Sequence, residues 1–309
     1  MKIVCLDADT LGFDADLSIF NKFGEFKSYD KTPANLTIER LKDADIVITN
    51  KVLITNEVIA NTNLKLICVS ATGVNNIDLE AAKKREIPVK NVAGYSTNSV
   101  VQQTFASLLM LTNNMNYYTN YVSSGEWAKS EIFTNLDKPI TEICGKNFGI
   151  IGLGEIGKKV AKIAQVFGAN ISYFSTSGKN NDSNFRQVSL DELLQECDII
   201  SIHAPLNENT KNLIGKNELS KIKKGAILMN FGRGGIIDEI ALANAIDDGN
   251  LKVVLDVLET EPMTKNHPLL NVKFKENLII TPHTAWGSVE ARKILIEKIA
   301  LNIENFLNN

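Results

Sequence analysis

Apolar positions along the chain come in two kinds of run. Short β-branched runs that close on polar or glycine turns fall at residues 2–6, 45–49, 66–70 and 88–91, with helically spaced stretches at 36–41 and 79–84 between them. This alternation predicts a parallel sheet covered by helices. Residues 99–111 form a longer apolar stretch behind a Ser/Thr start and predict a mostly buried helix, suited to carry the chain from one domain to the next. A second strand series follows at 148–153, 170–174, 198–203, 226–231, 252–256 and 278–281, enough for a complete six-stranded doubly wound sheet. Helical spacing returns at 288–307 and brings the chain back to the first domain.

The pattern predicts an α/β protein of two doubly wound, Rossmann-like domains. The first is discontinuous, residues 1–97 with 288–309, and the second spans 98–287. A length of 309 residues agrees, because single cores stop growing near that size.

Charge and composition remove several classes of function. The net charge of -3 comes from acids and bases mixed along the sequence, with no basic block to neutralise a phosphate backbone, so nucleic acid is not an expected partner. No stretch of about 18 uncharged apolar residues is present, and the first apolar run is far too short for a signal peptide, so the expectation is a cytoplasmic protein that does not enter a membrane. Cys5, Cys68, Cys144 and Cys197 each lie in or beside an apolar run without a C-x-x-C pair, which predicts buried, reduced thiols.

Gly152, Gly154 and Gly157 form a G-x-G-x-x-G between the 148–151 run and the alanine-bearing helical stretch from Lys158 to Ala164. Glycines there permit a tight turn and close approach of backbone to a pyrophosphate, and the following helix start offers N–H groups and a positive dipole end. The motif alone is weak; its place between strand and helix makes it a dinucleotide candidate. An acidic residue that would bind the adenosine ribose hydroxyls is expected about 20 residues on. Ser175 occupies that place, followed by Lys179, a candidate for a 2′-phosphate or simply a solvated loop lysine. NAD and NADP both stay open as cofactors.

Three ionisable residues lie just beyond predicted strands: Arg233, Glu261 and His283. Carboxyl ends of parallel strands converge on a ligand crevice, so the three are candidates to meet. Their types suit reduction of a 2-oxo acid. A guanidinium holds a carboxylate and polarises a ketone, an imidazole delivers a proton, and a carboxylate orients the ring. The alternatives are a helix cap for Arg233 and an exposed turn acid for Glu261. His203, with Ala204 and Pro205 closing another strand, is read as a backbone contact to cofactor, and His267 as structural or solvated.

With these motifs in order, the chain resembles the D-isomer-specific 2-hydroxyacid dehydrogenases over nearly its whole length. The resemblance runs through the glycine turn, Cys197-Asp198-Ile199-Ile200-Ser201-Ile202-His203-Ala204-Pro205, Asn230-Phe231-Gly232-Arg233-Gly234-Gly235, Leu255-Asp256-Val257 with Glu261-Pro262, and Thr281-Pro282-His283. It implies that Arg233 binds substrate carboxylate, that Glu261 pairs with His283, and that His283 is the acid/base. Asp256 looks like the acceptor for the nicotinamide carboxamide. Glu155 and Ile156 are implied to meet pyrophosphate through backbone, and Ala204, Phe231 and His283 to line the nicotinamide half.

Ala71-Thr72-Gly73-Val74-Asn75 is similar to the family loop that receives the substrate carboxylate, at Thr72 and Gly73 here. Together with Asn91-Val92-Ala93-Gly94-Tyr95 and Thr284-Ala285-Trp286, it resembles the glycerate dehydrogenase and hydroxypyruvate reductase branch, with NAD or NADP as cofactor and a small 2-oxo or 2-hydroxy acid as partner. Gln102-Gln103 departs from the acid and histidine of many members, and Glu261 from the glutamine of formate dehydrogenases. The resemblance implies a homodimer. Tyr117, Tyr118, Tyr121 and Trp127 are candidates for the contact, or else simply core. A dinucleotide-sensing corepressor that binds protein partners is the competing class, since some relatives reuse this scaffold; a hydrolase of the adenosylhomocysteine type would need a much longer chain.

Overall fold

The computed structural model describes residues 1–308. The chain divides into two compact units, Met1–Ser96 with Gly287–Asn309, and Thr97–Trp286. Thr97 falls in the second unit, where it opens a helix and its Oγ1 donates to Glu155 Oε1 at 2.7 Å.

The first unit begins with strands β1 (Lys2–Cys5), β2 (Glu25–Ser28), β3 (Ile46–Thr49), β4 (Leu66–Val69) and β5 (Val89–Lys90). Between them lie helices α1 (Thr37–Leu41), α2 (Asn56–Ala60) and α3 (Leu79–Lys84). Sheet order is β2-β1-β3-β4-β5 with every pair parallel. β3 and β4 are buried at every position, which is why they read as unbroken apolar runs. β2 was not expected from the pattern: three of its four residues are exposed at the sheet edge, where polarity protects against further pairing. Where the order reverses, between β1 and β3, buried Asp7 accepts N–H bonds from Asn50, Lys51 and Val52 and shapes the turn after β3.

The second unit starts with α4 (Thr97–Thr112) and α5 (Met115–Ser123). Its seven-stranded sheet is built from β6 (Asn147–Ile151), β7 (Asn170–Phe174), β8 (Arg186–Gln187), β9 (Ile199–Ile202), β10 (Ala226–Asn230), β11 (Leu251–Leu255) and β12 (Leu278–Ile280). Helices α6 (Glu155–Val166), α7 (Leu190–Glu196), α8 (Lys216–Lys221) and α9 (Glu239–Asp247) cross between strands. The order is β12-β11-β10-β9-β6-β7-β8, all parallel, so the chain winds outward both ways from the β6/β9 junction. β8, the strand beyond the six expected, is an exposed two-residue edge.

Period-two alternation divides the apolar residues between the two faces of this sheet. Leu228, Ile202 and Val253 pack on one side, and Met229, Ile199 and Val254 on the other. Side-chain caps start the flanking helices: Ser189 accepts from Glu192 N–H, and Asp238 from Ile240 and Ala241 N–H. The last helix, α10 (Val289–Leu307), returns to the first unit behind its Ser288 cap.

Cys5, Cys68 and Cys197 are buried, and burial pushes the first two thiols up to about 12. Cys144 is exposed, against the expectation of four buried thiols. It lies in the turn leading into β6, where the neighbouring Ile143 alone goes inward. Among the described residues no helix is long and apolar enough to cross a membrane, and no cluster of His, Cys, Asp or Glu has the arrangement of a metal site.

Candidate active site

The glycine turn follows β6 at the point where sheet order reverses, the place where such sheets bind ligands. Its three glycines answer to different demands. Gly152 has φ +93°, and a Cβ there would come within 2.8 Å of Ala204 backbone. Gly157 sits against the Gly152 carbonyl, which a Cβ would reach at 2.3 Å. Gly154, at the N-cap of α6, faces open space with nothing within 4 Å of a Cβ. That opening, beside the first N–H groups of a twelve-residue helix that includes Glu155 and Ile156, fits a pyrophosphate. The Glu155 carboxylate is held by Thr97, a bond that the motif did not suggest.

Ser175 follows β7, and its Oγ is buried with no hydrogen-bond partner among the described residues. Lys179 is exposed on the loop beyond. Asp182 is the acid of that loop, held below the usual carboxylate range by Asn184 N–H and side-chain contacts and by Lys158 and Lys162. It forms an ion pair with Lys158 at 3.7 Å. The residues suit a dinucleotide with or without a 2′-phosphate.

Ala204 wedges between two turns: besides its contact to Gly152, its carbonyl lies 2.5 Å from where a Gly232 Cβ would sit. Pro205 carries the chain on, its carbonyl accepting from Thr210 Oγ1 at 2.7 Å. Phe231 is buried and stacks on His203 with ring centroids 6.3 Å apart. His203 Nε2 pairs with Ser201 Oγ at 2.9 Å, while buried Nδ1 has no hydrogen-bond partner among the described residues. Burial pushes this imidazole down to about 3, so it is neutral at working pH and unsuited to proton transfer.

Beyond β10, buried Asn230 shapes the arginine turn. Its Oδ1 accepts from Gly232 N–H at 3.0 Å and its Nδ2 donates to Arg233 O at 2.8 Å. Sequence reasoning gave this residue no role, although asparagine at a strand end, two residues before Gly232, is a turn former. Arg233 is half-buried. Among the described residues its guanidinium makes one hydrogen bond, to Gly232 O, and no ion pair, which leaves a cation in the form an incoming carboxylate needs. Gly234 lies on the backbone after β11, where a Cβ would meet Leu258 at 1.9 Å.

Asp256, 3% exposed at the end of β11, holds the turn after β12. It accepts from Thr281 Oγ1 at 2.5 Å and from the N–H groups of Thr284 and Ala285. Burial pushes its carboxyl above the usual range in spite of those donors. The anchored turn holds His283 at φ +53°, a conformation uncommon outside glycine and one that persists only where surroundings impose it. His283 Nδ1 then meets Glu261 Oε2 at 2.7 Å, while Glu261 Oε1 accepts from Leu258 N–H at 3.0 Å. Both side chains keep partial solvent access, 26% and 30%. With Nδ1–H given to the carboxylate, Nε2 is the nitrogen left for proton exchange.

The structure therefore brings Glu261 and His283 into direct contact and sets the Arg233 turn against the loop that carries Glu261. In the first unit Thr72 follows β4; its Oγ1 donates to Val92 O at 3.1 Å and its carbonyl accepts from Asn91 Nδ2 at 2.6 Å, with Gly73 next in the turn. His267 is buried, not solvated, and pairs with Glu239. The aromatic residues after α4 are not core: α5 buries no residue, and Tyr117 packs on Tyr118 and Tyr121 at the surface.

A doubly wound sheet with a glycine turn at its switch point and an acid–imidazole pair at neighbouring strand ends defines a nucleotide-dependent oxidoreductase. Residues 105–285 match the family model for the D-isomer specific 2-hydroxyacid dehydrogenase NAD binding domain. The chain is 39% identical to a hydroxypyruvate reductase of Blautia hydrogenotrophica, covering 99% of this chain and 97% of that one. To a glycerate dehydrogenase of Methylorubrum extorquens it is 38% identical, covering 99% and 96%. The D-lactate dehydrogenase of Aquifex aeolicus, solved with NAD and lactic acid, superposes with a TM-score of 0.86 at 26% identity, covering 100% of this chain and 96% of that one. The chain belongs to the D-isomer-specific 2-hydroxyacid dehydrogenases.

Proposed function

We propose that the protein reduces a small 2-oxo acid of the hydroxypyruvate or glyoxylate type to the D-2-hydroxy acid, using NADH or NADPH. The bond between Glu261 and His283 carries the reading, because it fixes an imidazole with one nitrogen oriented and the other presented for proton transfer. A nicotinamide dinucleotide supplies the hydride when bound. Gly152, Gly154, Glu155, Ile156 and Gly157 receive its pyrophosphate, Ser175 faces the adenosine ribose, and Ala204, Pro205, Phe231 and Asp256 line the nicotinamide half. Arg233 holds the substrate carboxylate and polarises the carbonyl, His283 gives the ketone oxygen its proton from Nε2, and Glu261 stabilises the imidazolium that the next cycle regenerates. Thr72 and Gly73 are assigned to the substrate carboxylate as well. In these roles the second unit is the dinucleotide-binding domain and the first the substrate-binding domain.

We also assign a homodimer. The segment after α4 exposes Phe133 at 89%, Leu136 at 76% and Ile132 at 64%, an apolar surface suited to a second copy. The three buried thiols fit a reducing cytoplasm. The test is His283→Ala, scanned over 2-oxo acids with NADH and NADPH. Loss of general acid catalysis lowers kcat by roughly 10²–10⁴-fold. Near-wild-type turnover by the variant would refute the role, and tight dinucleotide binding without turnover of any 2-oxo acid by the wild type would support the sensor class instead.

A further inference from the structure

The second unit contains another carboxylate–imidazole pair, and its bonds lead toward Glu261. Glu239, the first residue of α9, accepts Glu259 N–H on Oε1 at 2.7 Å and faces His267 Nε2 with Oε2 at 2.8 Å. Both side chains are nearly out of water, 12% and 7% exposed. The other ring nitrogen fixes the proton: His267 Nδ1 accepts from Leu269 N–H at 3.3 Å, so Nε2 is the donor to Glu239. One carboxylate thus holds the loop near both of its ends, at Glu259 and at His267, and Glu261 lies between them.

Two successive backbone amides are taken by two different carboxylates, Leu258 N–H by Glu261 and Glu259 N–H by Glu239. This is also the backbone on which Gly234 rests, next to Arg233. α9 has its own cap in Asp238, so Glu239 is not needed to start the helix. What Glu239 holds is the loop.

We infer that Glu239 and His267 are positioning residues, a buried clamp that sets where the Glu261 carboxylate meets His283. The inference rests on the role given to Glu261 above. An error of about 1 Å in a reacting group costs on the order of 10²-fold, so a clamp on the loop is felt in kcat although its side chains act through Glu261.

The experiment is a double-mutant cycle of Glu239→Gln and Glu261→Gln, assayed as NAD(P)H-dependent reduction of hydroxypyruvate. Glutamine at 239 keeps the size but offers an NH2 group to one of the two donors. In the wild-type background it lowers kcat about tenfold, the worth of one charge-assisted bond, and leaves KM within about twofold. In the Glu261→Gln background the same change lowers kcat less than about twofold, because the residue it acts through is already lost.

Equal kcat losses in the two backgrounds overturn the inference, as does unchanged kcat for Glu239→Gln alone. If Glu261→Gln alone keeps full kcat, the role of Glu261 fails, and that single variant reports it separately. Should Glu239→Gln not fold, His267→Ala takes its place in the cycle under the same outcomes. His267→Gln, which restores a donor toward Glu239, is expected within about threefold of wild type; a loss as large as that of His267→Ala counts against the clamp.

Discussion

Replacing Glu261 by glutamine alters charge and hydrogen bonding at almost constant volume. The carboxylate serves two donors at once, Leu258 N–H at 3.0 Å and His283 Nδ1 at 2.7 Å. A carboxamide has one acceptor oxygen. If that oxygen stays with Leu258, the NH2 group faces Nδ1 and drives the imidazole into the tautomer that carries its proton on Nε2, so proton delivery would leave an anionic ring. If the oxygen turns to His283, two backbone and side-chain donors oppose each other at Leu258. Either way one hydrogen bond to a charged group is lost, worth about 1.5–3 kcal/mol. At 1.36 kcal/mol per decade this corresponds to roughly a 10- to 150-fold fall in kcat. KM for the 2-oxo acid should stay within about threefold, since the proposed function gives the carboxylate to Arg233. Steady-state reduction followed by NAD(P)H absorbance, with thermal unfolding as a control, reads both numbers. A folded Glu261→Gln enzyme with kcat within twofold of wild type would refute the pairing as a catalytic device.

Other outcomes follow from individual groups. Ser175→Asp places a carboxylate where Ser175 Oγ is buried without a partner, so the ratio of NADPH to NADH dissociation constants rises, measured by fluorescence titration; an unchanged ratio would remove Ser175 from the ribose site. His203 has its folded pKa depressed to about 3, against an ordinary 6.5, so its contribution is full above pH 6.5 and falls as pH drops toward 3. Between pH 6.5 and 4.5 that is on the order of 2–3 kcal/mol at most, and His203→Gln should flatten the dependence in urea unfolding; parallel slopes would contradict it. Phe133→Asp together with Ile132→Asp should shift the protein toward monomer in light scattering with little loss of thermal midpoint, whereas an unchanged mass excludes this surface as the dimer contact.

The strands that stand out most plainly in the sequence are those buried on both faces. β3, β4, β9 and β10 hide every residue, and their apolar runs stand out against polar turns. β2 and β8 escaped because an edge strand is polar by necessity, and nothing in Arg186-Gln187 distinguishes strand from loop. Glu261 and His283, 22 residues apart, were readable as partners through one rule, that parallel strand ends converge. No such rule reaches Glu239 and His267: a helix start and a loop histidine meet only once the loop is folded, and the sequence left His267 open between structural and solvated without pointing to Glu239. Cys144 shows the same limit, since an apolar neighbour does not say which of two adjacent side chains turns inward.

The second sheet separates two tasks by strand. The glycine turn and Ser175 hang from β6 and β7, while Arg233, Asp256 and His283 follow β10, β11 and β12 on the other side of the β6/β9 junction. Under the proposed function, a substitution at the end of β7 thus falls among residues that carry no proton, and one after β12 falls among residues remote in strand order from the proposed ribose site. Cofactor preference and acid–base chemistry are free to drift at different rates in descendants of this chain, one half of the sheet changing its nucleotide while the other goes on delivering the same proton.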